Sequence, residues 1–169
     1  RSADCQNAVM EISSHALAQY RAWSIPFEVT VFTNLTQDHL DYHKDLDDYF
    51  EAKALLFSPD YLKGKAILNK TDLYGQKLIA RVGPDYSWTY SIEDDSADLY
   101  TQDLSYGPTG VTGILCTPTG SASFNSPLVG RFNLENLLAA TASTLHLGVP
   151  LATIVEALPA FPGVPGRRT

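Results

Sequence analysis

The stretch Phe27-Glu28-Val29-Thr30-Val31-Phe32-Thr33-Asn34 decides the fold class of this chain. Its first six residues are a short run rich in β-branched and aromatic side chains, the pattern of a buried strand. Thr33-Asn34 ends the run, and a polar segment over residues 36–43 leads to a helix. That helix is clearly marked: Asp45 is a good N-cap, and Asp47 and Asp48 suit its first turn. Leu46, Phe50, Lys53 and Phe57 keep helical spacing until Ser58-Pro59 stops it.

The same strand, loop and helix order recurs on either side. Upstream, Ala8-Val9-Met10-Glu11-Ile12 reads as a strand, and Ser13-Ser14 offers cap hydroxyls for a helix from His15 to Arg21. Downstream, Ala66-Ile67-Leu68 reads as another buried strand, and Thr71-Asp72 caps a helix reaching about Arg81. Such alternation predicts an α/β fold, a mostly parallel sheet flanked by helices. From Tyr86 to Phe124 short segments are divided by Gly107-Pro108, Gly110, Gly113, Pro118 and Gly120, which predicts a small antiparallel meander at the edge of that sheet. Asn133 is the expected N-cap of a helix whose buried stripe is Leu134, Leu137, Leu138, Thr141 and Leu145, ended by Gly148. A shorter helix follows from Pro150 to Leu158. One domain is expected over residues 1–162, with the Pro- and Gly-rich 163–169 as a linker toward a further domain.

Composition narrows the function. The 169 residues are 44% hydrophobic, enough for one substantial core, and carry a net charge of −7, which opposes general binding to nucleic acid. No apolar run is long enough to span a bilayer, so no membrane insertion is expected. Cys5 and Cys116 lack the spacing of a zinc site or a disulfide framework, and a reducing cytoplasm is expected. The chain opens on Arg1-Ser2-Ala3-Asp4 without an initiator Met and reads as part of something longer.

Three places offer chemistry. Glu11 ends an apolar strand, where ligands of open parallel sheets bind, although a solvated or paired glutamate fits as well. Asp38-His39 and Asp41-Tyr42-His43 follow a neighbouring strand end, bringing an acid and an imidazole within range of a shared cation. Lys53 lies on the apolar stripe of its helix. Either its stem snorkels to water, or burial frees the amine to add CO2 and become a carbamate, an oxygen ligand for Mg2+.

Met10-Glu11-Ile12-Ser13-Ser14-His15-Ala16-Leu17, Thr33-Asn34-Leu35-Thr36-Gln37-Asp38-His39-Leu40-Asp41-Tyr42-His43, Tyr49-Phe50-Glu51-Ala52-Lys53 and Gly130-Arg131-Phe132-Asn133-Leu134-Glu135-Asn136 follow one another in that order. Together they resemble the successive signatures of the Mur ligase family, in its UDP-N-acetylmuramoyl-tripeptide synthetase branch. The resemblance runs from about Ala8 to Arg167 and implies that family's P-loop NTPase-like central domain. It implies Glu11 and His39 as Mg2+ ligands, and Lys53 as the lysine that is carbamylated to support a second metal, with His39 and Lys53 as the catalytic pair. Ser13, Gln19 and Arg21, with Lys53, match positions that hold UDP-MurNAc-L-Ala-D-Glu. Asn133 and Asn136 match asparagines near the nucleotide base, and Arg167 a hinge arginine that approaches the ATP phosphates.

The implied reaction belongs to cytoplasmic peptidoglycan-precursor synthesis. ATP phosphorylates the D-glutamate carboxylate, and a diamino acid, meso-diaminopimelate or L-lysine, attacks the acyl phosphate to form an amide. No Gly-x-x-x-x-Gly-Lys-Ser/Thr phosphate loop occurs in the 169 residues. The chain is therefore expected to be an incomplete central domain, monomeric and inactive by itself, with that loop and the flanking domains lying elsewhere. Two other readings are a folylpolyglutamate or cyanophycin synthetase-like ligase and a catalytically silent scaffold of the same fold. The blocks Ser13–Leu17 and Asp38–His43 favour the muramyl substrate.

Overall fold

The structure is a computed structural model, and it describes residues 4–35, 44–161 and 163. Its elements are α1 (Ser14–Ala18), β1 (Phe27–Phe32), α2 (Leu46–Ala54), β2 (Leu62–Asn69), α3 (Leu73–Val82) and β3 (Ser87–Tyr90). The second half holds β4 (Tyr100–Gly107), β5 (Gly110–Thr117), β6 (Gly120–Ser126), α4 (Arg131–His146) and α5 (Leu151–Ala157). No described helix is long and apolar enough to cross a membrane. Of the expected linker, only Gly163 lies among the described residues.

β1, β2 and β3 form a parallel sheet in that order, with Thr30 opposite Ala66 and Ile67 opposite Trp88. Each crossover carries a helix, as short parallel connections require. Asp45 caps α2 by accepting from the Asp48 amide (2.8 Å), and Asp72 caps α3 by accepting from the Tyr74 and Gly75 amides (2.9 Å each).

The centre of the sheet is β2, where Ala66, Ile67 and Leu68 are fully buried. Successive side chains leave a strand on opposite faces, so this run feeds two cores at once. Ala66 and Leu68 join Phe32 and the α2 and α3 residues Phe50, Ala54 and Leu78. Ile67 joins Tyr90 and the α4 residues Leu134, Leu138, Ala142 and Leu145 on the other face. The antiparallel sheet β4-β5-β6 adds Val111, Leu115 and Phe124 to this second core, so α4 packs among both sheets. The meander reaches the edge of the parallel sheet through one parallel bridge, Tyr90 to Leu99.

Three expectations are corrected. The segment 8–12 forms no strand: Val9 is fully exposed and Met10 is half exposed, and among the described residues no ladder partner pairs with it. A strand needs a neighbour's amides and carbonyls, and only Ile12 finds packing, beside Leu17 and Tyr61. Residues 87–90 belong to the parallel sheet rather than the meander, because the α3 crossover returns the chain alongside β2. Asn133 is not a cap. Gly130 takes φ +96°, turns the chain earlier and starts α4 at Arg131, leaving Asn133 inside the first turn, where its amide donates to the Val129 carbonyl (2.7 Å).

At the carboxyl end of the sheet, Asn69 is 3% exposed and joins two strand exits. Its Nδ2 donates to the Thr33 carbonyl (2.9 Å) and its Oδ1 accepts from the Thr71 amide (2.9 Å). The buried Tyr90 hydroxyl donates to the Phe32 carbonyl (3.2 Å). Burial first, then the nearby Glu135 and Asp72 charges, push this phenol up well above its ordinary range, so it stays a donor. Asn69→Ala takes this partner from the part-buried Thr33 carbonyl and Thr71 amide and unties the two strand exits. The expected loss is about 1–3 kcal/mol of unfolding free energy, measured by urea denaturation, with β-sheet content retained.

Candidate functional site

Two groups of predicted site residues emerge, one around α1 and α2 and one at the start of α4. In the first, the Ser13 hydroxyl accepts from the Ala16 amide (3.2 Å), and this bond starts α1. Glu11 lies exposed two residues earlier. The helix ends in a turn in which the Tyr20 amide donates to Leu17 (3.0 Å) and the Arg21 amide to Ala16 (2.8 Å). Gln19 and Arg21 flank Tyr20 and are both exposed. Leu17 and Ala22 are buried against Tyr61, with Ile12, Phe27 and Leu56 around them, and α1 packs on α2.

Lys53 is half-buried on α2, its ammonium 5.0 Å from the centre of the Tyr49 ring one turn earlier. The neighbouring face of the helix is fixed to α3. Arg81 donates twice to the Glu51 carboxylate (2.9 and 2.7 Å), Lys77 pairs with Asp47 (3.1 Å), and the Phe50 and Tyr74 rings sit 5.2 Å apart between them. Residues 47, 50, 51 and 54 share that face by helical spacing, and Lys53 falls to one side of it. The α3 contacts therefore set the rotation of α2 and with it the flank from which Lys53 projects.

The second group sits at the carboxyl edge of the parallel sheet. Asn133 and Asn136 lie three residues apart on α4, Asn133 half-buried and Asn136 exposed. A shallow depression of about 360 Å³ opens nearby, lined by Lys70, Thr71, Ser91, Glu93, Asp94 and Arg131. Lys70 pairs with Asp94 (3.2 Å), and Arg131 reaches Glu135 (3.3 Å) and Glu93 (3.7 Å). Hydrogen bonds from Ser96, then the Lys70 ammonium, hold the Asp94 carboxyl below its usual range. Sequence reasoning missed this depression. Its signal was faint: Lys70-Thr71 and Ser91 directly follow strands whose parallel pairing is not readable locally.

His39 and Arg167 lie outside the described residues, as do Asp38, Asp41, Tyr42 and His43. Among the described residues no three His, Cys, Asp or Glu side chains gather as a metal cage. Mg2+ keeps several waters and takes only one or two protein carboxylates, so an exposed acid such as Glu11 is compatible with its chemistry.

A sequence profile of the Mur ligase middle domain matches residues 1–144. The chain belongs to this family. A Mur ligase of Trichormus variabilis, named UDP-N-acetylmuramoyl-L-alanyl-D-glutamate–2,6-diaminopimelate ligase, is 63% identical over 166 residues, covering 98% of this chain and 34% of that protein. The ligase of the same name from Synechocystis is 59% identical over 162 residues, 96% of this chain and 32% of that one. A solved structure of an enzyme of that name superposes with a TM-score of 0.83 at 40% identity, covering 92% of this chain and 32% of the other. This Mur ligase chain thus spans about a third of the length of the relatives it matches.

The clamp between α2 and α3 gives a pH dependence. Hydrogen bonds from Arg81 hold the Glu51 carboxyl below its ordinary value, so the clamp stabilises at neutral pH and is lost as pH falls through that lowered value. Both side chains are about half exposed, which limits the gain to roughly 1 kcal/mol or less. Glu51→Gln is expected to lower the melting temperature slightly at pH 7, and the difference should vanish in acid well below the ordinary carboxylate range of about 4.

Proposed function

We propose that this chain is the central catalytic portion of an ATP-dependent ligase that joins 2,6-diaminopimelate to UDP-MurNAc-L-Ala-D-Glu in the cytoplasm. The observation that carries the reading is local. The exposed Gln19–Arg21 turn and the half-buried Lys53 sit on packed neighbours, α1 and α2, in a chain 63% identical to a ligase of that name. The choice of diaminopimelate over lysine rests on the names of the relatives. The protein acts as a monomer, with residues 163–169 leading into a further domain.

The chemistry asked of this site is charge management. ATP transfers its terminal phosphoryl group to the D-glutamate carboxylate, and the amine of the incoming diamino acid displaces phosphate to form the amide. Arg21 supplies positive charge to an anionic substrate, which matters in a chain of net charge −7. Ser13 and Gln19 orient the same substrate. Glu11, His39 and a carbamylated Lys53 would hold Mg2+, and a metal held there would supply positive charge to offset the carboxylate and the phosphates. Asn133 and Asn136 face the nucleotide base, and Arg167 approaches the phosphates. As a carbamate, Lys53 would offer a metal carboxylate oxygens in place of the ammonium that now lies 5.0 Å from the Tyr49 ring.

Phosphate release by the full-length protein tests this reading. It should require ATP, Mg2+, UDP-MurNAc-L-Ala-D-Glu and 2,6-diaminopimelate together, while the 169-residue chain, which holds no phosphate loop, releases none. Arg21→Ala should raise KM for the nucleotide-linked dipeptide, and Lys53→Ala should lower kcat by about 100-fold or more, with partial recovery in added short-chain carboxylate. Full activity of Lys53→Ala would remove the carbamate from the mechanism. Turnover with glutamate as the added amino acid in place of diaminopimelate would point to a folylpolyglutamate-type ligase instead.

A further inference from the structure

Tyr20 and Ser24 adopt φ +56° and +67°, a left-handed conformation that favours glycine. Tyr20 occupies the position just beyond the α1 C-cap Gln19, where the Arg21→Ala16 and Tyr20→Leu17 amide bonds close the helix end. Helices usually place glycine at that point because a Cβ is disfavoured there. Here a large aromatic residue holds it, so something other than backbone preference must stabilise the turn.

The stabilising contact is a row of rings. Tyr20 meets Trp23 edge-to-face at 5.7 Å, and Trp23 meets Tyr61 edge-to-face at 5.8 Å. Tyr61 then lies 6.5 Å from Phe27 on β1. Tyr61 is 2% exposed, whereas Trp23 and Tyr20 are 53% and 65% exposed, so the row runs from the core to the surface. The Trp23 amide also donates to the Tyr20 carbonyl (3.1 Å), tying the two ring-bearing residues along the backbone. Between them, Ala22 is buried and Arg21 is exposed, which fixes the side of the turn from which Arg21 leaves.

We infer that Trp23, acting through the left-handed Tyr20, is a positioning residue: the ring row anchored on Tyr61 holds the turn that presents Gln19 and Arg21 to the anionic nucleotide-sugar substrate. The inference rests on the reading of Gln19 and Arg21 given above. A turn held open in advance spares the substrate the cost of ordering those side chains, so the gain appears in substrate affinity rather than in the chemical step.

Two measurements on the full-length ligase test it. The first needs no substrate: hydrogen exchange at the Arg21 and Tyr20 amides should speed up about two- to tenfold in Trp23→Ala, with α2 and β2 amides unchanged, and stay near native in Trp23→Phe. The second is steady-state kinetics, where Trp23→Ala should raise KM for UDP-MurNAc-L-Ala-D-Glu about two- to tenfold with kcat and the KM for ATP unchanged, and adding Tyr20→Gly, which holds a left-handed turn without a ring contact, should bring KM back toward native. Unaltered exchange at Arg21 in Trp23→Ala overturns the inference, whatever the substrate. A raised KM in Arg21→Ala beside a native KM in Trp23→Ala overturns it while leaving the role of Arg21 intact. A native KM in Arg21→Ala overturns both.

Discussion

β2 is covered on both faces, and the rest of the domain is arranged by that constraint. Ala66 and Leu68 commit α2 and α3 to one side, and Ile67 commits α4 to the other. A parallel strand with no solvent-facing side has to be flanked by helices, and the helices have to return over it. Asn69 continues the strand as a buried polar residue, acceptable there because both ends of its amide are satisfied by neighbouring strand exits.

The candidate site is built on this frame by two kinds of contact that differ in strength. Apolar burial fixes where each helix lies, through Leu17 on Tyr61 and through Phe50 in the core that α2 and α3 share with Ala66 and Leu68. Charged contacts then set finer detail at the surface: the Arg81–Glu51 and Lys77–Asp47 pairs set the rotation of α2, and the Lys70–Asp94 and Arg131–Glu135 pairs line the carboxyl edge.

Family membership was legible because four motif blocks kept their order, and each block also carried a local physical signature. Asp45 and Asp72 announced the starts of α2 and α3 three residues ahead of the amides they cap. Phe27–Phe32 was readable as a strand to its last residue, since a short β-branched run between turn signals has few alternatives. Segment 8–12 carried the same signature and formed no strand, because composition cannot report whether a ladder partner is present. Asn133 misled for a related reason: an asparagine before an apolar stripe looks like a cap, but the positive φ open to Gly130 had already begun the helix.

What the sequence determined by itself was therefore whatever lies within about four residues along the chain or repeats as a motif: the Asp45 and Asp72 caps, the β1 run, the buried stripe of α4 and the order of the family's motif blocks. Hydrogen bonds and side-chain spacing at that range are encoded locally. Tertiary structure alone decided that β3 lies parallel beside β2, that Asn69 links two strand ends thirty-six residues apart, and that Tyr20 holds a glycine-like turn through Trp23 and Tyr61. Each of those depends on which distant side chain arrives alongside, and burial and pairing between remote segments leave no periodic trace in the residues that make them.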